Sequence, residues 1–256
     1  MIFRKLFPRA HALLRDDTPR EYRLPDGERI YAIGDVHGRL DCLDILLAKI
    51  DADDAERAPA ATTLVFLGDL MDRGPDSREV VERAIELADT RKTVFLMGNH
   101  EEILIYAWEG DIRAAALFQR VGGRETLMSY GAHAIDYDIT DPDDVLRALD
   151  ERVPSAHIAF VRGFLDSYSC GDYLFVHAGI RPGVPLDAQI PGDLRWIRRE
   201  FLDDDRQHGS MIIHGHSITE DVDEKHNRIG IDTGAFASGK LTAIGIEGGE
   251  RWFLTS

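Results

Sequence analysis

Short apolar runs alternate with amphipathic stretches along the chain from Arg29 onward. The first three runs cover residues 30–33, 63–67 and 93–97, and they are rich in β-branched residues. Each run ends in glycine followed by a polar residue, and apolar residues then recur at helical spacing. Strands that alternate with helices predict parallel βαβ units, so the chain has the pattern of an α/β fold.

Three polar turns follow these predicted strands. The turns are GDVHG at 34–38, GDLMDRG at 68–74 and GNHE at 98–101. Asp35, Asp69 and Asn99 follow one another at intervals of about one βαβ unit. We therefore expect the turns to lie side by side at the carboxyl edge of one sheet, which is where open α/β sheets bind ligands.

The second half of the chain returns to short strands after a helical stretch. Residues 102–165 are predicted to form a mostly helical cap within a single domain at 29–256, which follows an N-terminal arm and lead-in at 1–28. The later apolar runs cover residues 173–176, 211–213, 228–231, 241–246 and 251–254. The last three runs are closely spaced without helices between them, which predicts antiparallel pairing and a second, mixed sheet.

Composition excludes several classes of protein. The 256 residues carry a formal net charge of −16, which disfavours binding to nucleic acid and to anionic membranes. No apolar run reaches the roughly 18 residues of a membrane span. The two cysteines, Cys42 and Cys170, are too few for a disulfide framework and are typical of a reducing compartment, so we expect a cytoplasmic protein.

Candidate metal ligands occur at five predicted strand ends. Aspartate, asparagine and histidine give mixed oxygen and nitrogen coordination, which suits divalent metals of borderline hardness. The neighbouring glycines allow sharp turns that let short side chains converge. A single ion rarely needs this many ligands, whereas two ions sharing a bridging carboxylate would use them all. The candidates are Asp35, His37, Asp69, Asn99, His100, His177 and His216.

Five motifs together carry a family resemblance. They are GDVHG (34–38), GDLMDRG (68–74), GNHE (98–101), VHAG (176–179) and GHS (215–217), and the matching segments extend from about Arg29 to Ile246. The combination resembles the calcineurin-like metallophosphoesterases and, more narrowly, the phosphoprotein phosphatase family in its compact bacterial form. This resemblance implies a four-layer α/β/β/α sandwich of two mixed β-sheets with a helical cap insertion. It also implies a dinuclear metal site between the sheets.

The resemblance implies a role for each candidate ligand. Asp69 would bridge two divalent ions, for which manganese is expected, while iron, zinc or nickel would fit the same ligands. The implied ligands are Asp35, His37 and Asp69 for the first ion, and Asp69, Asn99, His177 and His216 for the second. His214 lies two residues before His216 and is a rival ligand, although the resemblance favours His216.

Further residues would act on the substrate. The resemblance implies that His100 is the general acid, that Asp72 orients it, and that Arg73 holds the phosphoryl oxygens. A second phosphate-binding arginine follows a tryptophan two residues earlier in this family, which points to Arg198, with Arg199 as the alternative. The implied substrate-binding residues are therefore Arg73, Asn99 and Arg198.

The resulting hypothesis is a metal-dependent phosphomonoester hydrolase. The resemblance implies a serine/threonine protein phosphatase, with phosphotyrosine as a further substrate class, acting on a phosphorylated protein or peptide. A hydroxide bridging both metals would attack phosphorus in line, because bound metals lower the pKa of water. The leaving alkoxide of serine needs a proton, which His100 would supply.

Two alternative functions are compatible with the chain. The first is a symmetrical diadenosine tetraphosphate hydrolase of the same superfamily. Members of that branch usually lack the aspartate of D-R-G and carry GNHD, so Asp72 and Glu101 favour the phosphatase. Glu101 is expected to support its turn and not to bind metal. The second alternative is a non-catalytic phosphate-binding scaffold, which would predict lost ligands, whereas every implied ligand is present.

Overall fold

Residues 21–256 are described by the computed structural model, and their strands form two five-stranded sheets. In chain order the strands of these residues are β1 (Glu28–Ile33), β2 (Ala61–Phe66), β3 (Thr93–Phe95), β4 (Ser167–Cys170), β5 (Tyr173–Val176), β6 (Met211–His214), β7 (Asp223–Glu224), β8 (Arg228–Gly230), β9 (Thr242–Glu247) and β10 (Glu250–Thr255). The first sheet has the order β10-β9-β1-β2-β3, and the second has the order β4-β5-β6-β8-β7. Both sheets combine parallel and antiparallel pairs, which confirms the predicted α/β class with two mixed sheets.

Helices connect most of these strands. In chain order they are α1 (Leu40–Glu56), α2 (Ser77–Thr90), α3 (Asn99–Trp108), α4 (Ile112–Phe118), α5 (Arg124–Ser129), α6 (Pro142–Arg152), α7 (Ser155–Arg162), α8 (Pro191–Trp196), α9 (Arg199–Leu202) and α10 (Ala235–Ser238). A π-helical turn at Gln119–Gly123 joins α4 to α5, and a 3₁₀ turn lies at Leu186–Ala188. The segment predicted as a helical cap is therefore mostly helical, since α3 to α7 occupy most of it.

Three apolar clusters separate four layers. Because side chains alternate along a strand, Ile30 and Ala32 of β1 join the cluster between the sheets, whereas Tyr31 and Ile33 pack beneath α1 and α2. On the far side, Leu174 of β5 packs against α8 and α9. Each sheet therefore buries both of its faces, which produces the predicted α/β/β/α sandwich.

The pairing of the strands agrees with the sequence in the first half of the chain and differs at the end. Strands β1, β2 and β3 are parallel neighbours, so the turns that follow them reach one edge. The last two strands are antiparallel, as predicted, but they belong to the first sheet, and only β8 of the last three lies in the second. Strand β9 pairs with β1, where Ile244 and Ile246 complete the apolar layer between the sheets.

The lead-in to β1 packs on the domain where it is described. Residues 1–20 of the predicted N-terminal arm lie outside the described residues. Tyr22 and Leu24 are buried in the cluster between the sheets, and the Leu24 N–H donates to the Gly248 carbonyl at 2.9 Å. Of the helices in residues 21–256, none combines the length and the apolar composition needed to cross a bilayer.

Candidate metal centre

The polar turns meet at one edge of the two sheets, and their backbone is strained there. A left-handed backbone conformation is uncommon for residues other than glycine, and such strain clusters at functional sites. Within residues 21–256, every non-glycine residue with positive φ belongs to the predicted site. These residues are His37 (φ 48°), Asp69 (51°), Asp72 (71°), Arg73 (71°) and His216 (63°). The fold thus holds these side chains in orientations that relaxed turns would not give.

Two glycines make room for the carboxylates. A Cβ atom at Gly98 would lie 2.2 Å from Asp69 Oδ1, and a Cβ atom at Gly215 would lie 2.1 Å from Asp35 Oδ1. Both distances are far inside van der Waals contact, so only glycine allows the backbone to approach each carboxylate this closely. The glycines of GNHE and GHS are therefore required by the site itself.

The first candidate ligand group contains His37 and Asp69. The Nδ1 atom of His37 lies 2.8 Å from the carbonyl oxygen of Met71, which only accepts, so Nδ1 carries the proton. The Nε2 atom is buried without a hydrogen-bond partner and lies 3.6 Å from Asp69 Oδ2. Burial lowers the pKa of His37 to about 3, so the ring is neutral and offers its lone pair.

The second group surrounds the other side of the same carboxylate oxygen. His177 Nε2 lies 3.5 Å from Asp69 Oδ2, 3.0 Å from Asn99 Oδ1 and 3.2 Å from His216 Nδ1. The Nδ1 atom of His177 donates to the Leu67 carbonyl at 2.8 Å, which leaves Nε2 as a lone pair. Such backbone partners fix the tautomer of metal-binding histidines. Burial lowers the pKa of His177, and it lowers the pKa of His216 to about 2, so both rings are neutral.

Asp35 completes a donor set that fits cations. Its Oδ2 atom accepts the His216 N–H at 3.0 Å, and its Oδ1 atom is buried without a partner. Burial, together with the nearby carboxylates Asp232 and Asp69, raises the pKa of Asp35 well above its ordinary value. Burial alone would raise the pKa of Asp69, but the surrounding histidines hold it below its usual range. Buried lone pairs crowded around carboxylates fit divalent cations, because a cation satisfies them together.

His100 is held by two partners at the border of these groups. Its Nδ1 atom donates to Asp72 Oδ2 at 2.6 Å, and its Nε2 atom accepts from the Arg73 guanidinium at 2.9 Å. His100 also lies with His37 and Asp69 within the distance of a possible metal group. We favour the role of acid, because both ring nitrogens are already engaged. Burial lowers the pKa of His100, but Asp69 and the bond to Asp72 outweigh it, so the pKa is raised overall.

The sequence did not reveal two residues that contact the partners of His100, namely Thr126 at Asp72 and Phe236 at Arg73. Thr126, from the cap, donates its hydroxyl to Asp72 Oδ1 at 2.5 Å and is fully buried. The Arg73 guanidinium lies 4.9 Å from the ring centroid of Phe236, and the rings of Phe236 and His37 make a T-shaped contact with their centroids 5.5 Å apart. Thr126 lies outside every motif, so nothing in the sequence singles it out. Phe236 lies two residues after Gly234 and also belongs to none of the five motifs.

The structure distinguishes His216 from the rival ligand His214, and Arg198 from the alternative Arg199. His216 faces His177, whereas the ring of His214 packs edge-on against Phe201 at 5.2 Å, in the apolar cluster under α8 and α9. The positive charge of Arg198 adds to burial in lowering the pKa of His177 and of His216, which places this arginine beside the second ligand group. The geometry therefore favours His216 over His214 as a ligand. The charge of Arg198 at His177 and His216 favours this residue over Arg199 as the second arginine.

Glu101 supports the turns, as expected, and does not face the ligand groups. Its Oε2 atom accepts backbone N–H bonds from Asp69 at 2.8 Å and Gly98 at 3.0 Å, and its Oε1 atom accepts one from Leu70 at 2.8 Å. Burial, with the charge of Asp69, raises the pKa of Glu101 to about 7. One carboxyl group thus ties the turn after β2 to the start of α3.

We expect Glu101→Gln to lower the free energy of unfolding by on the order of 2 kcal/mol, because an amide NH₂ group would face a backbone donor. Urea denaturation monitored by circular dichroism measures this change. Glu79→Gln, at an exposed position on α2, is the matched control. Equal stability of the two variants would contradict the supporting role of Glu101.

Comparison with known proteins extends this picture. Residues 28–234 match the family described as calcineurin-like phosphoesterase. The asymmetrical bis(5'-nucleosyl)-tetraphosphatase PrpE of Anoxybacillus flavithermus is 28% identical over 230 residues, covering 83% of this chain and 88% of that protein. A symmetrical bis(5'-nucleosyl)-tetraphosphatase of Acidovorax sp. is 31% identical over 153 residues, covering 60% of this chain and 44% of that protein. The chain thus spans less than half the length of the second relative.

A solved structure supports the same fold. A protein described as a proposed diadenosine tetraphosphatase superposes with a TM-score of 0.62 at 20% identity. The superposition covers 92% of this chain and 99% of the other. At this identity the likeness concerns the fold, and it agrees with the two-sheet sandwich described above.

Proposed function

The chain belongs to the calcineurin-like phosphoesterase family, and from this premise we propose that it hydrolyses dinucleoside tetraphosphates in a metal-dependent reaction. The names of its relatives support this substrate class better than the protein phosphatase that the motifs alone favoured. The observation that carries the metal-dependent reaction is a shared oxygen: Asp69 Oδ2 lies 3.6 Å from His37 Nε2 and 3.5 Å from His177 Nε2. One carboxylate thus faces two separate ligand groups.

Six residues would hold two divalent ions. They are Asp35, His37 and Asp69 for one ion, and Asp69, Asn99, His177 and His216 for the other. Bound ions of this kind polarise phosphoryl oxygens and lower the pKa of water to about 7. Manganese remains our preferred metal, and iron, zinc and nickel fit the same nitrogen and oxygen donors.

The arginines would bind and orient the phosphate chain. A guanidinium presents a planar fork of donors that matches two phosphoryl oxygens, which a lysine does not. Arg73 is held by the Val121 carbonyl at 3.4 Å and by the ring of Phe236, and this contact network supports the proposed role. Arg198 is exposed and its charge reaches the second ligand group. Together they would neutralise charge at the reacting phosphate.

The pair of His100 and Asp72 would manage the proton of the leaving group. In the structure Nε2 of His100 accepts from Arg73. When substrate oxygens take the donors of Arg73, this nitrogen becomes free to carry a proton. Asp72 keeps Nδ1 protonated and the ring oriented. A nucleotide leaving group is already a stable anion, so His100 contributes less to cleavage of an anhydride than to cleavage of an alkyl ester.

The greater use of a proton donor in cleaving alkyl esters favours a second candidate function, hydrolysis of phosphoserine or phosphothreonine in proteins. The leaving alkoxide of such an ester needs a proton, and the 2.6 Å bond between His100 and Asp72 is the arrangement that supplies one. The same buried pair, supported by Thr126, would contribute little to the rate of an enzyme that cleaves only anhydrides.

A substrate panel tests both candidates. The protein is stripped of metal by chelation, restored with one ion at a time, and offered diadenosine tetraphosphate and a phosphoserine peptide. We expect rapid, metal-dependent loss of the dinucleotide. Chromatography of the products then identifies the cleaved bond, since two ADP indicate symmetrical cleavage and ATP with AMP indicates asymmetrical cleavage. Hydrolysis of the peptide alone would overturn the proposal in favour of the second candidate.

A further inference from the structure

An exposed tryptophan is held in place two residues before Arg198. The side chain of Trp196, at the end of α8, is 39% exposed. Its indole Nε1 donates to Glu102 Oε2 at 2.5 Å, and Glu102 lies on α3 two residues after His100. With its N–H group occupied, the surface that the indole leaves exposed is apolar and aromatic.

The segment that carries Trp196 is held from two sides. The other oxygen of Glu102 accepts from Arg195 Nη1 at 2.5 Å, and Arg195 Nε donates to Asp166 Oδ1 at 2.9 Å. On the opposite side, the N–H of Ala178, which follows His177, donates to the Leu194 carbonyl at 2.8 Å. The end of α8 is therefore tied both to the helix that begins with Asn99 and to the turn of His177.

The position of the ring suits a ligand that extends out of the metal centre. Two residues of an α-helix are about 3 Å apart along the axis but point to different faces, so α3 alone does not bring Glu102 to the side of His100. The tie to the centre is the bond between Leu194, at the end of α8, and Ala178, the residue after His177. Arg198, two residues beyond Trp196, is the exposed arginine whose charge reaches His177 and His216. The ring thus lies two residues from an arginine whose charge reaches the second ligand group, a spacing that suits a ligand longer than one phosphate.

We propose that Trp196 forms a subsite for a nucleobase of the substrate, with Glu102 as the residue that positions the ring. The inference rests on the proposed hydrolysis of dinucleoside tetraphosphates, which carry a flat aromatic base at each end of an anionic chain. Bases stack on exposed aromatic side chains because every base has a π-face. Trp196 would therefore favour nucleotide substrates over polyphosphates that lack a base.

The test compares two substrates that share the anhydride bond and differ in the base. These are diadenosine tetraphosphate and inorganic tetraphosphate, assayed with the metal-loaded full chain. We expect Trp196→Ala to lower the ratio of kcat/KM for the dinucleotide to that for tetraphosphate about tenfold, mainly through KM. Trp196→Phe, which keeps an aromatic face, should restore most of the ratio. Tyr106→Ala is the matched control, since this ring is 50% exposed one turn further along α3.

Each outcome bears on the inference in a distinct way. An unchanged ratio in Trp196→Ala, or an equal fall in Tyr106→Ala, would overturn the nucleobase subsite while leaving the proposed function intact. A loss confined to a phosphoserine peptide would assign the ring to a peptide side chain and also overturn it. If the unmodified protein itself fails to cleave the dinucleotide, the proposed function falls and takes the subsite with it.

Discussion

Asp69→Asn is expected to lose both metal affinity and activity. The substitution keeps the shape of the side chain but removes the negative charge that both ligand groups share. The Oδ2 atom of Asp69 faces His37 and His177, and its Oδ1 atom accepts a hydrogen bond from the backbone N–H of His100 at 3.1 Å. Loss of a bridging carboxylate removes several kcal/mol of charge stabilisation, so we expect turnover to fall by roughly 10³-fold or more.

Metal analysis and steady-state kinetics check this result together. Asp89→Asn, at an exposed position on α2, loses the same charge away from the site and is the control. The thermal melting of both variants should be compared with metal present and after chelation. If Asp69→Asn retains two equivalents of metal and near-normal turnover, the bridging role is wrong.

His100→Asn is expected to keep both metals and lose turnover. The ring is held by Asp72 at Nδ1 and by Arg73 at Nε2, and neither partner is an implied metal ligand, so its removal should leave the ligand groups intact. Loss of a general acid costs about 10²–10⁴-fold in rate. The loss should grow with the pKa of the leaving group, so it should be larger for an alkyl phosphate than for diadenosine tetraphosphate.

Rates for a series of phosphate esters, plotted against the pKa of the leaving group, measure this effect. A steeper slope in His100→Asn than in the unmodified protein would indicate a lost proton donor. His133→Asn, at an exposed position in the cap, provides the control. Because His100 also lies near His37 and Asp69, an emptied metal position in the variant would show that His100 is a ligand and not an acid.

The sequence alone indicated most residues of the candidate site because these residues follow strands in short turns. Local spacing fixes which side chains follow β1, β2 and β3, and parallel pairing of these strands then brings Asp35, Asp69 and Asn99 to one edge. The sequence also shows the glycines of these motifs. Gly98 and Gly215 are needed because the carboxylates of Asp69 and Asp35 approach the backbone there. The helical cap was predictable for the same local reason.

The substrate class was a weaker inference from the motifs. Asp72 and Glu101 distinguish branches of a superfamily only by resemblance, and the relatives of this chain are named as tetraphosphatases. The structure shows that these two residues bear on the substrate only indirectly. Glu101 supports backbone turns, and Asp72 orients a histidine, so neither residue is positioned to contact a base or a peptide.

The sequence by itself determined the rhythm of strands and helices, the polar turns and the identity of the candidate ligands, because these depend on neighbours within a few residues. Only the tertiary structure decided that His216 and not His214 faces His177, and that Thr126 and Phe236 hold the acid and the arginine. It also decided that β9 and β10 complete the first sheet. Such contacts join residues far apart in the chain, and the packing of whole layers, not local propensity, sets them.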